Sequence, residues 1–334
     1  MRFGPVPVAD AEGAVLAHSV SAGGRKLRKG IVLGAQELSL LTENGVGEVT
    51  VARLEPGDVH EDTAAKVLAA ALVPDPAAVN VTLTAPFTGR VNILAASPGI
   101  VDLDVAAVER FNQVHPMITV ATVPPYQQMS PRGMLATIKV ISYAVPEIDV
   151  TRAAEAARDA IRLIAPVHGS AGLIVSEIPG GPSNDKGIAA IRGRVEALGM
   201  DLSDIRIVPH REEALSAALQ DVAGDMVMIL TGSATSDPQD VAPAALRHAG
   251  GRVDRFGMPV DPGNLLFLGQ LGPRPVIGLP GCARSPALNG ADWVLSRVAC
   301  GVTTTGADIA AMGVGGLLKE IPTRPQPRAG KKRG

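Results

Sequence analysis

The residues with the clearest chemical potential lie between 231 and 240, Thr-Gly-Ser-Ala-Thr-Ser-Asp-Pro-Gln-Asp, directly after the apolar run Met-Val-Met-Ile-Leu at 226–230. Five apolar residues read as a short buried strand, and a helix is expected from Asp237–Asp240 towards Ala249. The intervening loop has no bulky side chain from Thr231 to Ser236. Its backbone N–H groups and hydroxyls can therefore close on an oxyanion at a helix N-terminus. The G-x-x-x-x-G-K pattern is absent, because no lysine follows in P-loop position, and composition leaves an ordinary Ser/Gly connection equally open. Asp240 reads first as the helix N-cap, with Pro243 in the first turn; the other register makes Asp237 the cap and Asp240 N3. A magnesium role requires Asp240 to face the ligand instead, since Mg²⁺ takes one or two carboxylates plus phosphate oxygens.

Four more stretches have the same strand-to-helix character: Glu177–Lys186, Pro209–Glu213, Pro280–Ser285 and, nearby in sequence, Asp261-Pro262-Gly263-Asn264. In open parallel sheets ligands collect outside the carboxyl ends of the strands, where such loops lie. A site built from them combines hydroxyls and glycine backbone with the acids Glu177, Asp185, Asp240 and Asp261. Arg284 can pair with a phosphate, although a lone loop arginine is more often a surface ion-pair member. Cys282 sits near an expected helix N-terminus, which lowers a thiol pKa. It has no identifiable histidine partner and so reads poorly as a nucleophile. Cys300 reads as a small core residue. His210 follows a strand and reads as a polar loop histidine before it reads as an acid–base group. Glu212 and Glu213 suit the first turn of a helix.

The elements that must position these loops alternate from Gly172 onward. Strands are expected at 173–175, 205–208, 226–230 and 276–279, with helices at 186–198, 212–222, 240–249 and 285–298. This order implies an α/β unit, a three-layer, doubly wound, mostly parallel sheet covered on both faces. Before it come a β-rich region at 1–75 and a small α+β unit at 76–168. The first has short apolar runs, including 30–34, and helices at 36–43 and 62–73. The second has strands at 80–84, 89–94, 117–123 and 134–145 and helices at 104–114 and 150–164. Pro74-Asp75-Pro76 marks the first boundary. The α/β unit is expected at 169–318, and the proline-rich, basic stretch at 319–334 is expected to be a disordered tail.

Bulk composition narrows the partners. A net charge of −2 gives no basic excess, so nucleic acid and anionic membrane surfaces are not expected partners. An aromatic content of 2% argues against base-stacking platforms. Two cysteines make no disulfide framework, and no apolar run reaches the roughly 20 residues of a membrane span, so a cytoplasmic location is expected.

Three spaced segments carry a family resemblance: Met226 to Asp240; Gly257 to Gly269, which includes Asp-Pro-Gly at 261–263; and Gly-Leu-Pro-Gly-Cys-Ala-Arg-Ser at 278–285. Together they resemble the molybdopterin-binding domain of molybdenum-cofactor biosynthesis proteins, most of all the molybdopterin molybdenumtransferases, over about Gly172 to Gly301. That family shows a thr-gly-gly-x-ser loop with a downstream aspartate, a lys-pro-gly element and a leu-pro-gly-asn-pro-x-ser turn. The resemblance implies that Thr231, Gly232, Ser233, Thr235, Pro262, Gly263, Pro280, Gly281 and Ser285 bind molybdopterin or its adenylate. It also implies a catalytic role for Asp240, which would hold Mg²⁺, with molybdate as substrate; Glu177, one of the acids of the strand-end loops, is the second catalytic candidate. A homodimer is implied, and a molybdoenzyme or a cytidylyltransferase as further partner. The C-terminal β domain of typical insertases is expected to be missing. Ser233, Asp261 and Cys282-Ala283 depart from the family pattern, so pterin binding is the firmer expectation and insertion of molybdate the weaker. A non-catalytic cofactor carrier is the alternative, and a nucleotide pyrophosphatase on the same domain a third reading.

Overall fold

The computed structural model describes residues 1–318. The chain falls into two units, Met1–Ala165 and a second beginning at Pro166. The expected tail at 319–334 lies outside the described residues.

The first unit opens with β1 (Arg2–Pro7), β2 (Val15–Leu16), β3 (Val20–Ala22), β4 (Arg25–Leu27), α1 (Ala35–Glu43) and β5 (Glu48–Arg53). β5 pairs between β1 and β2, and Leu16, Leu33, Leu41 and Val51 close a small core over this sheet. It continues with β6 (Asp58–His60), α2 (Glu61–Leu72), β7 (Val81–Leu83), β8 (Arg90–Ala95), β9 (Gly99–Leu103) and α3 (Val105–Val114). β10 (Ile118–Thr122), β11 (Gln128–Met129), β12 (Met134–Val140), β13 (Ala144–Pro146), α4 (Glu147–Ala156) and β14 (Ile161–Ile164) complete it. Ala64, Leu68 and Leu72 recur at intervals of four and give α2 one buried stripe, which packs with Ile93, Leu135 and Ile138 of the β10-β12-β8-β7 sheet.

Local details differ from the sequence pattern. The helix expected over 150–164 ends at Ala156, and Ile161–Ile164 forms a strand beside β9. Ile161 and Leu163 alternate with outward residues, so period two prevails there over the helical spacing. The single strand expected over 134–145 divides into β12 and β13. The chain turns at Ser142, whose Oγ donates to Ala144 O at 2.7 Å, and β13 then pairs with β6. The run at 30–34 keeps one isolated bridge, Val15 to Val32.

The second unit runs β15 (Ser170–Glu177), α5 (Asn184–Glu196), β16 (Asp201–Pro209), α6 (Glu212–Asp221), β17 (Met226–Leu230) and α7 (Val241–His248). β18 (Arg252–Phe256), β19 (Phe267–Leu271), β20 (Arg274–Leu279), α8 (Gly290–Ala299) and α9 (Gly306–Ala311) follow. The sheet order is β16-β15-β17-β20-β19-β18; β15, β16, β17 and β20 are parallel, and β19 and β18 are antiparallel at one edge. This is the expected α/β arrangement with a mostly parallel sheet.

β17 explains why the sheet needs cover on both faces. All five of its residues are buried. Met226, Met228 and Leu230 point into one core with Ile191 and Val195 of α5 and Val294 and Leu295 of α8. Val227 and Ile229 point into the other, with Leu215 and Leu219 of α6 and Leu246 of α7. Burying each such side chain contributes about 1.5–3 kcal/mol, so a strand with no polar face is stable only in the middle of three layers. Beside it, Gly278 of β20 stands opposite Phe267, and a Cβ there would lie 1.9 Å from the ring; only glycine admits the aromatic. No helix of the described residues is long and apolar enough to cross a membrane.

Met228→Ala is expected to lower the stability of the second unit by about 2–5 kcal/mol, the range for cavities left by large apolar side chains. Trp293, the only tryptophan in the chain, lies half-buried against the same core, so its fluorescence during urea unfolding reads this unit. An unchanged midpoint would remove β17 from its central role.

Candidate functional site

Register brings four strand ends to one edge. Glu177 pairs with Pro209, Val175 with Leu230, and Leu230 with Leu279, so the loops after β15, β16, β17 and β20 leave the sheet side by side. Ser176 joins three of them. Its buried Oγ accepts the Gly232 N–H at 3.1 Å and lies 2.8 Å from Nδ1 of His210. When neutral His210 carries its proton on Nε2, the Ser176 hydroxyl donates to Nδ1 and both of its hydrogen-bonding roles are filled. Gly232 is pressed so close to β15 that a Cβ would lie 2.7 Å from Ser176 O. No motif pointed to Ser176; its one signal is a polar residue directly after the apolar run Leu173–Val175.

The loop after β17 folds on itself. Thr231 and Thr235 are buried; Thr231 Oγ1 donates to Ser233 O at 2.6 Å and lies 3.4 Å from Thr235 Oγ1. Ser233 and Ser236 are exposed. Asp240 is the N-cap of α7. One carboxylate oxygen accepts the Val241 N–H at 2.7 Å and the other the Ser236 N–H at 3.0 Å, so both hold backbone at the turn. Pro243 lies in the first turn, where a missing N–H costs nothing.

The turn after β20 differs from the helix expected at 285–298. Gly281–Arg284 is one 3₁₀ turn, Ser285 is extended, and α8 begins only at Gly290. Pro286 interrupts the helix, and Asn289 restarts it through a reciprocal cap, with Oδ1 accepting from Ala291 N and Asp292 Oδ2 accepting from Asn289 N, both at 2.8 Å. Arg194 of α5 holds this segment in place. It ion-pairs with Asp292 at 2.5 Å and donates to the carbonyls of Ala283, Ser285 and Ala287. Arg194 carries no sequence signal, because its partners lie about 90 residues away.

Arg284 crosses between loops. Its Nη2 donates to Thr231 O at 3.0 Å and its Nη1 to Ser183 O at 3.2 Å, while Nε is buried without a partner. Gly187 of α5 makes room for it, since a Cβ there would lie 2.9 Å from Nη1. Burial alone pushes this guanidinium below its ordinary value. Thus Arg284 is no surface ion-pair member; it ties three of the candidate loops together.

A cavity of about 720 Å³ opens between α5 and the 3₁₀ turn, with Ser183, Lys186, Gly281, Cys282, Arg284 and Ser285 in its wall. A second, of about 520 Å³, is lined by Glu177, Pro209, His210 and Arg211 among others. Glu177 is exposed, and its Oε2 accepts from Asn184 Nδ2 at 3.0 Å. Of the expected binding residues, Gly281 and Ser285 line the larger cavity. Thr231, Gly232, Ser233, Thr235 and Pro280 line neither, although Thr231 O reaches it through Arg284. Pro262 and Gly263 pack on the start of α8, where Pro262 O accepts the Gly290 N–H at 2.8 Å. Asp261 precedes a cis peptide bond to Pro262.

Although Cys282 as a residue is exposed, partial desolvation of its thiol first, and then the nearby charge of Asp261, push the thiol up despite the opposing pull of a backbone hydrogen bond and of Arg194. This corrects the lowering expected from a helix N-terminus, because a four-residue 3₁₀ turn supplies too little aligned dipole. Among the described residues no three His, Cys, Asp or Glu side chains gather as a metal site. With both Asp240 oxygens on backbone, the residues present do not make a magnesium cage.

Residues 173–297 match the family described as a probable molybdopterin binding domain, and residues 5–53 match a domain of unknown function. No curated protein matches the chain. A molybdopterin biosynthesis moea protein from Pyrococcus horikosii is 12% identical, with 90% of this chain and 75% of that chain covered and a TM-score of 0.33. A molybdenum cofactor biosynthesis protein from Pyrococcus furiosus is 14% identical, with 93% of this chain and 65% of that chain covered and a TM-score of 0.25. The expectation of a molybdopterin-binding domain is met over the matched residues.

Alkylation by iodoacetamide consumes the thiolate, so a raised thiol pKa shifts the rate profile of Cys282 to higher pH. Its midpoint is expected above that of free cysteine, read by mass spectrometry; a midpoint at or below it would contradict the burial argument.

Proposed function

We propose, for a chain whose residues 173–297 form a molybdopterin-binding domain of the molybdenum-cofactor biosynthesis type, that it binds molybdopterin or its adenylate by the phosphate at the strand ends of the second unit and holds it for a later step. The observation that carries this reading is the convergence of the loops after β15, β17 and β20 on Arg284, next to a cavity whose wall includes Ser183, Gly281 and Ser285. Such a setting offers N–H and O–H donors to phosphate oxygens. Ser233 and Ser236, exposed on the loop into α7, are the hydroxyls free to turn towards it.

Holding is favoured over molybdate insertion because both Asp240 carboxylate oxygens are spent on backbone N–H groups, that of Val241 at the start of α7 and that of Ser236 in the loop before it. The insertion reading rests on Glu177, an exposed carboxylate beside the second cavity and fixed by Asn184. On that reading Asp240 would have to leave its backbone partners to help hold Mg²⁺, which would supply charge neutralisation at the phosphates, and water would cleave the phosphoanhydride of adenylated molybdopterin to AMP and the molybdopterin phosphate. A homodimer and a handover partner, a molybdoenzyme or a cytidylyltransferase, belong to the same proposal.

Calorimetric titration with molybdopterin and with its adenylate, each with and without Mg²⁺, is expected to give saturable binding of at least one of them. Absence of binding by both would end this reading.

Molybdate-dependent AMP release from the adenylate is expected to stay at the background rate in the wild-type chain. Release above background that Asp240→Asn abolishes, with binding retained, would replace holding by insertion.

A further inference from the structure

The wall of the larger cavity holds two cations and no carboxylate. Lys186, on the first turn of α5, is exposed and makes no hydrogen bond or ion pair among the described residues. Arg284 is half-buried, and its two bonded nitrogens meet neutral carbonyls, leaving Nε without an acceptor. Among the described residues no carboxylate pairs with it. Arg194, the neighbouring arginine on the other side of the same turn, is different: it also binds carbonyls, but Asp292 supplies its counter-charge. A guanidinium taken partly out of water without a counter-ion is destabilising unless an anion joins it. The rest of the wall includes Pro182, Ala189, Ala190 and Pro286, so an anion here meets its cations in a poorly screened setting.

We propose that this cavity is an anion site in which Arg284 and Lys186 together take a phosphoryl group. Nη1 and Nη2 of Arg284 each keep one N–H beyond the carbonyl they already hold, a pair that can take two phosphoryl oxygens, and Lys186 adds a movable point charge from α5. Ser183 and Ser285, both exposed on the rim, offer hydroxyls to the remaining oxygen. The assignment deepens the molybdopterin reading by giving the phosphate, rather than the pterin ring, to this cavity, and to two residues outside the three resemblance elements' shared positions.

Cys282 lines the same wall and is exposed, whereas Cys300 is buried, so alkylation of Cys282 reports occupancy in the intact chain. Inorganic pyrophosphate and inorganic phosphate are expected to slow its reaction with iodoacetamide saturably, and neopterin, which has no phosphate, is not. Arg284→Met and Lys186→Met should each raise the half-protecting pyrophosphate concentration by about tenfold, the size of one charge-assisted contact. Arg284→Lys should retain part of the protection. Circular dichroism establishes that each variant is folded. Lack of protection in the wild type, or equal half-protecting concentrations in wild type and Lys186→Met, overturns the proposal; the second criterion holds even if Arg284→Met does not fold, because the exposed Lys186 side chain has no hydrogen bond or ion pair to lose among the described residues. Protection by pyrophosphate without molybdopterin binding would leave this inference standing and end the preceding reading. Molybdopterin binding with equal affinity in the wild type and folded Arg284→Met would do the reverse.

Discussion

Burial of β17 on both faces is the constraint from which the rest of the second unit follows. A strand of five apolar residues with no exposed surface must have neighbours on each side and helices above and below. Parallel neighbours then end at the same edge, because chain direction and register are shared. The candidate loops meet there for that reason, and the chemistry of each matters only because the two cores hold the edge still.

At that edge, short polar contacts do the fine positioning. The Ser176 hydroxyl joins the ends of β15, β16 and β17, and Gly232 can approach it only because it has no side chain. Asp240 places α7 by capping it, and the Asn289 box places α8 after a proline break. Two arginines then hold the turn after β20 from opposite sides. Arg194 is neutralised by Asp292 and orders the segment; Arg284 has no carboxylate partner among the described residues and joins three loops. The same residue type thus gives a structural brace in one case and an unneutralised cation in the other, and the difference lies in one carboxylate.

The legible part of this architecture was whatever rests on local pattern. The run at 226–230, the alternation of strand and helix after Gly172, the Asp240 cap with Pro243 behind it, and the three spaced glycine- and proline-containing segments were all readable, and they pointed to the molybdopterin-binding domain that residues 173–297 match. Less legible were places where two periodicities compete. Residues 150–164 carry apolar spacing that suits a helix until β9 offers Ile161 and Leu163 a pairing edge. The stretch at 134–145 is apolar throughout, and only the pairing of Ala144–Pro146 with β6 reveals that it turns.

By itself the sequence determined the α/β class of the second unit, the order of its elements and the family of that domain, because strand and helix periodicity, caps and spaced turn residues are properties of near neighbours in the chain. Only the tertiary structure decided which polar groups are already spent and which are not. Ser176 meets Gly232 across 56 residues and Arg194 meets Asp292 across 98. Thr231, Thr235 and Asp240 turned out to satisfy backbone and one another, while Arg284, which reads along the chain as an ordinary loop arginine, emerged half-buried without a counter-charge. Whether a side chain is neutralised depends on partners brought together by packing, and no local pattern records them.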